Sequence, residues 1–130
     1  MNFLLIDDDR DEFDIILAAG DKGDDNTTFT WSYAPSAAAG IEVLNKITPS
    51  AVFIDYNMPV MNGIDCALQI RRDPRFASVC LVLYSTSITE TMEKDAASAG
   101  INFSIQKPDD FGEMSNLIDK VSSFISGSQV

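Results

Sequence analysis

Short apolar runs alternate along the chain with longer stretches in which apolar and polar positions repeat at helical spacing. Four of these runs are Phe3–Ile6, Ala51–Ile54, Val79–Tyr84 and Phe103–Gln106, and a β-rich segment, Thr28–Ala34, lies between the first two. Apolar runs of this length, separated by helix-length stretches, are typical of parallel strands that are covered on both faces. The pattern therefore predicts one parallel sheet with helices on each side.

The stretches between the strands predict the helices. Asp9 or Asp11 can cap the first helix, because a carboxylate accepts hydrogen bonds from the free N–H groups of a first turn. A loop is expected over residues 20–26, from their Gly, Asp and Asn content. The remaining helices are one bearing Ala37, Ile41, Leu44 and Ile47, one from Ile64 to about Asp73, one over Thr89–Gly100 and one from Phe111 to about Ile125. The helix over Thr89–Gly100 has few large apolar side chains, so we expect it to be weakly anchored.

Alternating strands and helices require parallel strands joined by right-handed crossovers. We predict an α/β fold, a doubly wound five-stranded parallel sheet of flavodoxin-like order 2-1-3-4-5. The elements occupy residues 1–126 as one domain, which leaves residues 127–130 as a short C-terminal tail and no room for a second domain.

Composition narrows the possible functions. The chain has 9 basic and 20 acidic residues, a net charge of −11, so it would repel nucleic acid and anionic membranes. It has no histidine, which excludes His-ligated zinc and a phosphohistidine carried by this chain. Its two cysteines lack C-x-x-C spacing, and no apolar run is long enough to span a membrane. We expect a cytoplasmic protein with a buried, reduced thiol at Cys80.

Polar side chains follow the strands at their carboxyl ends. Asp7 and Asp8 follow the first strand, Asp55 the third and Lys107 the fifth, while the pair Ser85/Thr86 follows the fourth. In an open α/β sheet, ligands bind beyond the carboxyl ends of the strands. Carboxylates, a hydroxyl and an ammonium group at one edge suit the binding of a hard cation such as Mg²⁺ and the transfer of a phosphoryl group.

Asp55 is the central residue of this set. In the predicted strand order the third strand lies beside the first, so Asp55 faces Asp7 and Asp8. Three carboxylates so close would raise one another's pKa unless a divalent cation or Lys107 neutralised them. A carboxylate can also act as a nucleophile toward a phosphoryl group and form an aspartyl-phosphate. For Asp7 and Asp8 taken alone, capping of the following helix is an equally good explanation.

With these residues in order, the sequence resembles the receiver domain of two-component response regulators, from Phe3 to Ile125. The motifs that carry the resemblance are Ile6-Asp7-Asp8, Asp55 followed by Met58-Pro59 and Gly63, Leu83-Tyr84-Ser85-Thr86, and Lys107-Pro108. It implies a stand-alone receiver that accepts a phosphoryl group from a sensor histidine kinase or a histidine phosphotransfer protein. Such a receiver is not an enzyme beyond its own phosphorylation and dephosphorylation, and it signals to a downstream protein through a phosphorylation-dependent surface.

The resemblance also assigns a Mg²⁺ site. Asp8 and Asp55 would bind the ion directly, Asp7 would act mostly through a bound water, and Asn57 would offer its backbone carbonyl.

The same resemblance assigns the phosphoryl group. Asp55 would be the phosphoacceptor, Ser85 and the backbone N–H of Thr86 would bind one phosphoryl oxygen, and Lys107 would pair with another. The Lys107-Pro108 peptide bond is expected to be cis.

One position departs from the family's pattern. Receivers commonly carry a Tyr or Phe three residues before the site lysine, and Ser104 stands there in this chain. The two-residue period of a strand places Ile101, Phe103 and Ile105 on one side and Ser104 on the other, so we expect Phe103 to point into the core and not to replace the missing aromatic.

Two other functions stay open at this stage. A metal-dependent phosphohydrolase of the haloacid dehalogenase type also uses an Asp after a first strand, and Asp7-x-Asp9 superficially fits that pattern. The hydroxyl residue expected shortly afterwards is absent, and the chain has no room for a cap domain. The other alternative, a receiver that serves only as an unphosphorylated scaffold, is disfavoured because every residue needed for phosphorylation is present.

Overall fold

Strands and helices alternate along the chain in the computed structural model, which describes residues 1–20 and 29–127. The strands are β1 (Asn2–Ile6), β2 (Thr30–Ala34), β3 (Ala51–Asp55), β4 (Cys80–Ser85) and β5 (Phe103–Gln106). The helices are α1 (Arg10–Gly20), α2 (Ala37–Leu44), α3 (Gly63–Arg71), α4 (Glu90–Ser98) and α5 (Phe111–Gly127), and a short 3₁₀ helix, Pro74–Phe76, precedes β4.

All neighbouring strands pair in parallel, and their order is β2-β1-β3-β4-β5. The predicted doubly wound sheet and its order are therefore confirmed. Ile6 pairs with Ile54, so β1 and β3 end at the same level. Gly20, expected in a loop, is the last residue of α1. Residues 21–26 of that loop and Thr28 lie outside the described part of the chain.

Two apolar layers cover the sheet because alternate side chains of each strand point to opposite faces. On one face Leu4 and Ile6 pack with residues of α2, α3 and α4. On the other face Phe3 and Leu5 pack with residues of α1 and α5, including Ile118, which is 1% exposed. The layer on the α1 and α5 face holds the larger side chains, and several of its aromatic rings contact one another.

Helix α4 is anchored far less than its neighbours. Ala96 is its buried residue, and Thr89 caps its first turn by accepting the N–H of Met92. Beyond its C-terminal end the guanidinium of Arg71, at the end of α3, donates to the carbonyl of Gly100 and to the side chain of Asn102. The helix is therefore held at its two ends more than along its length, which agrees with the expected weak anchoring.

Some expected details differ from the structure. Helix α2 ends at Leu44 because the backbone N–H of Asn45 donates to the carbonyls of the last turn, so Ile47 lies beyond the helix.

Ile101 and Ile105 lie on different faces of the sheet. Ile101 packs in the layer with α4 while Ile105 packs in the layer with α5, so the shared side predicted for them is wrong. The reason is that β5 begins only at Phe103, so the strand period does not extend to Ile101.

Helix α5 continues through Gly127, one residue into the expected tail. Among the helices of residues 1–20 and 29–127, none has the length and apolar character needed to cross a bilayer.

Candidate functional site

The carboxyl ends of β1 and β3 bring three carboxylates together. Asp7 follows β1 directly and Asp55 is the last residue of β3; both are buried, whereas Asp8 is exposed. One carboxylate oxygen from each of the three lies within 4.8 Å of the others. The sequence predicted this juxtaposition, and it follows from the adjacency of β1 and β3 in the sheet. A cluster of hard oxygen donors of this kind suits Mg²⁺.

Lys107 enters the cluster from the end of β5. Its Nζ lies 3.0 Å from Oδ2 of Asp7 and 3.3 Å from Oδ1 of Asp55, with only 10% of the side chain exposed. The backbone N–H of Lys107 donates to the carbonyl of Ser85 at 2.7 Å, which fixes the strand end from which the side chain extends. The ammonium group also lies 5.2 Å from the centre of the Tyr84 ring. One cation thus bridges the two buried carboxylates.

Glu12 is a third carboxylate in contact with Lys107, and it was not among the residues predicted from the sequence. Its Oε1 lies 3.7 Å from the Lys107 Nζ, and its side chain is 19% exposed. The one sequence feature that singles Glu12 out is its position three residues after the helix cap Asp9. A Glu at that position is usually explained as part of a capping box, so it does not point to the pocket. We call Asp7, Asp8, Asp55 and Glu12, together with Lys107, the acidic pocket.

Burial and like charge shift the pKa values in the acidic pocket. Burial, with the charge of Asp7, raises the pKa of Asp55 to about 6. Burial also raises the pKa of Asp7, although the N–H of Asp9 and the ammonium of Lys107 both stabilise its carboxylate. Burial alone disfavours the charged form of Lys107, but its hydrogen bond with Asp7 and the surrounding carboxylates outweigh this and raise its pKa. The pocket therefore holds an excess of negative charge that a cation would relieve.

Asp7 is held firmly by its neighbours. Its Oδ1 accepts the N–H of Asp9 and its Oδ2 accepts from Lys107. Its backbone N–H donates to the carbonyl of Ala34, and its own carbonyl accepts the hydroxyl of Tyr33 at 2.6 Å. Both carboxylate oxygens of Asp7 are thus already engaged within the protein, whereas the carboxylate of Asp8 is exposed to solvent.

Asp9 serves the helix and not the pocket. Its side chain accepts the N–H of Asp11, and its carbonyl accepts the N–H of Glu12, so of the two predicted candidates, Asp9 and Asp11, it is Asp9 that caps α1. The Asp7-x-Asp9 pattern that suggested a phosphohydrolase therefore has a structural explanation.

Ser85 and Thr86 lie at the end of β4, next to β3. Ser85 is fully buried, and within the described part of the chain its Oγ has no hydrogen-bond partner. Thr86 is exposed. A buried hydroxyl without a partner costs about 1–3 kcal/mol, so it is rarely kept without a function. Asp55 pairs with Tyr84 in the register, which puts Ser85 one residue further along at the same edge of the sheet.

The loop after β3 leads into α3, whose first residue, Gly63, lies close to the backbone of Asp55. A Cβ added to Gly63 would lie 2.5 Å from the carbonyl oxygen of Asp55, so only glycine fits this approach. Val60 has a positive φ of 73° and a fully exposed side chain, an uncommon conformation for a β-branched residue. Asn57, the predicted source of a carbonyl ligand, is exposed in this loop.

The Lys107-Pro108 peptide bond is trans, since the chain as described contains no cis peptide bond. The expectation of a cis bond is therefore wrong for this structure. The trans form of such a bond is favoured by about 0.5–1 kcal/mol, and Lys107 reaches Asp7 and Asp55 with the trans bond in place.

Ser104 is half-buried, and Phe103 lies on the side of the sheet covered by α5. The ring of Phe103 packs edge-on against Phe124 with ring centres 5.0 Å apart, and the Nζ of Lys120 lies 5.8 Å from the Phe103 ring centre. Phe103 is only partly buried, so it lies less deeply than the core position that was predicted for it. The aromatic ring of β5 is therefore engaged with α5, on the opposite side from Ser104.

Known proteins resemble this chain in sequence and in fold. Residues 3–119 match the family model described as the response regulator receiver domain. The chemotaxis protein CheY1 of Helicobacter pylori is 33% identical over 76 residues, which cover 55% of this chain and 61% of that protein. The stress response regulator protein 1 of Candida albicans is 34% identical over 83 residues, which cover 62% of this chain and 29% of that protein. The matched part of the chain thus spans about three fifths of the first relative and less than a third of the second.

Solved structures share the fold. The phosphorylated cyanobacterial phytochrome response regulator RcpA superposes with a TM-score of 0.83 at 17% identity, covering 98% of this chain and 94% of that one. A two-component response regulator from Legionella pneumophila gives a TM-score of 0.80 at 22% identity, covering 95% of this chain and 98% of that one. At such identities these structures establish the fold alone. The family match, however, runs over residues 3–119 and contains the whole acidic pocket, and the chain therefore belongs to the response regulator receiver domain family.

Proposed function

We propose that this chain is a phosphoacceptor that takes a phosphoryl group onto Asp55 in the presence of Mg²⁺. The observation that carries the proposal is the position of Asp55 within the acidic pocket. Its carboxylate is buried, lies within 4.8 Å of two further carboxylates, and has the Lys107 ammonium 3.3 Å away. Of the carboxylates grouped there, it is the one beside both a lysine and the end of β4 that carries Ser85.

The transfer needs only one covalent exchange. A carboxylate oxygen of Asp55 attacks the phosphorus of a phosphohistidine, the bond between phosphorus and the imidazole nitrogen breaks, and its electron pair returns to that nitrogen. The protein's task is then to position the reactants and to neutralise charge on the transferring group. Lys107 lies close enough to Asp55 to neutralise an oxygen of that group, as a compact point charge.

Ser85 and Thr86 are proposed to hold the phosphoryl group once it is in place. The Ser85 hydroxyl is buried and unpartnered among the described residues, so a phosphoryl oxygen would give it the acceptor it lacks. The backbone N–H of Thr86 follows directly and is proposed to donate to the same oxygen. Phosphorylation adds a charge of about −1.5 to −2 and three strong acceptors, which is enough to reorganise these groups.

The donor set of the pocket fits Mg²⁺. The grouped side-chain donors are carboxylate oxygens, which this hard cation prefers, and the excess of negative charge there favours a divalent ion. We propose that Asp8 and Asp55 bind it directly and that Asn57 contributes its backbone carbonyl. Asp7, whose two oxygens are engaged with Asp9 and Lys107, contributes through water. When bound, the ion supplies charge neutralisation for the phosphoryl group.

The proposed phosphodonor is a sensor histidine kinase or a histidine phosphotransfer protein, and the proposed output is binding to a downstream protein through a surface that phosphorylation changes. The net charge of −11 argues against nucleic acid and anionic membranes as partners. Both cysteines are buried and free, which supports a reducing compartment and hence the cytoplasm. We propose residues 1–126 as the receiver domain.

Incubation with Mg²⁺ and acetyl phosphate, followed by intact mass measurement, tests this function. The wild-type protein should gain one phosphoryl group, and it should lose this gain when the metal is chelated. Asp55→Asn should abolish labelling, whereas Asp14→Asn, which alters an exposed carboxylate on α1, should leave it unchanged. Labelling that persists in Asp55→Asn would refute the assignment of the phosphoacceptor. A wild-type protein that never becomes labelled would favour the scaffold function instead.

A further inference from the structure

Glu12 makes a contact that the proposed function does not use. It lies in the first turn of α1, but its carboxylate turns toward the end of the sheet and lies 3.7 Å from the Lys107 Nζ. Lys107 is thereby shared among Asp7, Asp55 and Glu12. A salt bridge this well shielded from solvent is screened far less than one on an open surface.

Helix capping does not explain this side chain. In a capping box, the Glu at the third helical position would accept the N–H of the cap residue. Here the N–H of Asp9 donates to Oδ1 of Asp7 instead, so that duty of Glu12 is already fulfilled. The sequence thus contains the capping-box pattern, but the Glu12 carboxylate interacts with Lys107 and not with the helix cap.

The contact between Glu12 and Lys107 affects how the pocket receives a phosphoryl group. Three carboxylates contact the Lys107 ammonium group, and of these the assigned metal and phosphoryl roles use Asp7 and Asp55 but not Glu12. A carboxylate that holds Lys107 draws it away from an incoming phosphoryl oxygen, and its own charge repels an anionic phosphodonor. Both effects slow the arrival of a phosphoryl group at Asp55.

We propose that Glu12 is a positioning residue that competes for Lys107 and so limits the rate at which Asp55 is phosphorylated. This inference rests on the proposed function of Asp55 as phosphoacceptor. Glu12 acts through Lys107, and it touches neither the phosphoryl group nor the metal. A chain with a neutral residue at position 12 is thus a faster acceptor with the same site.

Initial rates of labelling by acetyl phosphate at saturating Mg²⁺ test the proposal, followed by intact mass. Glu12→Gln keeps the shape of the side chain and removes its charge, so it should be labelled about 3- to 10-fold faster than wild type. Asp11→Asn makes the same change of net charge at the adjacent, exposed position and should change the rate by less than about 2-fold. Glu12→Asp keeps the charge but is one methylene too short to hold the 3.7 Å contact with Lys107, so its rate should lie between those of wild type and Glu12→Gln.

Ionic strength separates local from general electrostatics. Raising the salt to about 0.5 M should remove any effect of Asp11→Asn but leave most of the acceleration in Glu12→Gln, because buried pairs are screened less. An unchanged or slower rate in Glu12→Gln, or an equal acceleration in Asp11→Asn, would overturn the role of Glu12 while leaving Asp55 as the acceptor. Labelling of all these proteins that survives Asp55→Asn would instead overturn the proposed function, and the inference with it.

Discussion

The two apolar layers and the acidic pocket belong to the same sheet, but they bury different kinds of side chain. Within the layers, Phe3, Ile16 and Ile118 are almost completely buried among apolar neighbours. In the pocket, Asp7 and Asp55 are buried almost as deeply, yet Lys107 is their one nearby cation among the described residues. Burial therefore stabilises the protein in the layers and destabilises it in the pocket. The same excess of negative charge is what the proposed Mg²⁺ site requires.

The largest expected effect is the loss of stability when a side chain of the apolar layers is truncated. Ile118→Ala should lower the free energy of unfolding by about 2–5 kcal/mol, because it removes buried methyl groups and leaves a cavity beneath α5. Ile15→Ala is the matched control, since that side chain is 40% exposed on α1; its cost should stay below about 1 kcal/mol. Urea unfolding measures both. Similar costs for the two variants would contradict the assignment of Ile118 to the core.

In the acidic pocket, by contrast, we expect a substitution to raise the free energy of unfolding. The folded-state pKa of Asp55, about 6, lies above its ordinary value of 3.8. The folded state therefore favours the protonated form of Asp55. The stability that this form contributes is fully present below pH 3.8 and is lost as the pH rises through 6. Asp55→Asn should then raise the metal-free stability by up to about 3 kcal/mol at neutral pH.

This gain should shrink as the pH falls through 6 toward 4, about the range set by the folded and unfolded pKa values. Urea unfolding with a chelator, across pH, measures it. Asp14→Asn should shift stability by less than about 0.5 kcal/mol, because its carboxylate is exposed. In Mg²⁺ the advantage of Asp55→Asn should diminish, since the ion stabilises the wild-type fold by mass action. A pH-independent gain would show that charge is not its cause.

Two adjacent aspartates separate metal binding from folding. Asp8→Ala should weaken Mg²⁺ binding by about 10-fold or more, yet change metal-free stability by less than about 1 kcal/mol, because it removes an exposed charge from a crowded site. Asp9→Ala should do the reverse, losing about 0.5–2 kcal/mol of stability with the cap of α1 while keeping its Mg²⁺ affinity. Calorimetric titration and urea unfolding give the two readings. Equal Mg²⁺ affinities in Asp8→Ala and wild type would contradict the proposed metal ligands.

The smallest expected effect is one of mobility. Helix α4 buries Ala96, whereas α5 buries Met114, Ile118 and Val121. A beryllofluoride mimic of the phosphoryl group should therefore change hydrogen exchange in α4 more than in α5, because weakly anchored elements open at lower cost. Exchange measured with and without the mimic tests this. Changes confined to α1 and α2 would show that the responsive surface lies elsewhere.

Much of the fold and pocket could be read from local patterns. Apolar runs such as Ala51–Ile54 mark buried strands, and polar residues placed directly after them must meet at one sheet edge once the strand order is known. Asp7, Asp8, Asp55 and Lys107 were found in this way, and the structure brings them together. A carboxylate cap at Asp9 or Asp11 was also predicted from local pattern, and the structure shows that Asp9 is the cap.

The direction of single side chains was decided by tertiary contacts. Glu12 fits a capping pattern in the sequence, but it turns to Lys107, a residue from the far end of the chain, because Asp7 already satisfies the N–H of Asp9. Ile101 changes layers because β5 begins two residues later than the alternation suggested. Sequence by itself determined which residues reach the edge of the sheet, since that depends on spacing along one chain. Which partner each side chain meets there depends on distances between elements, and only the folded structure fixes those.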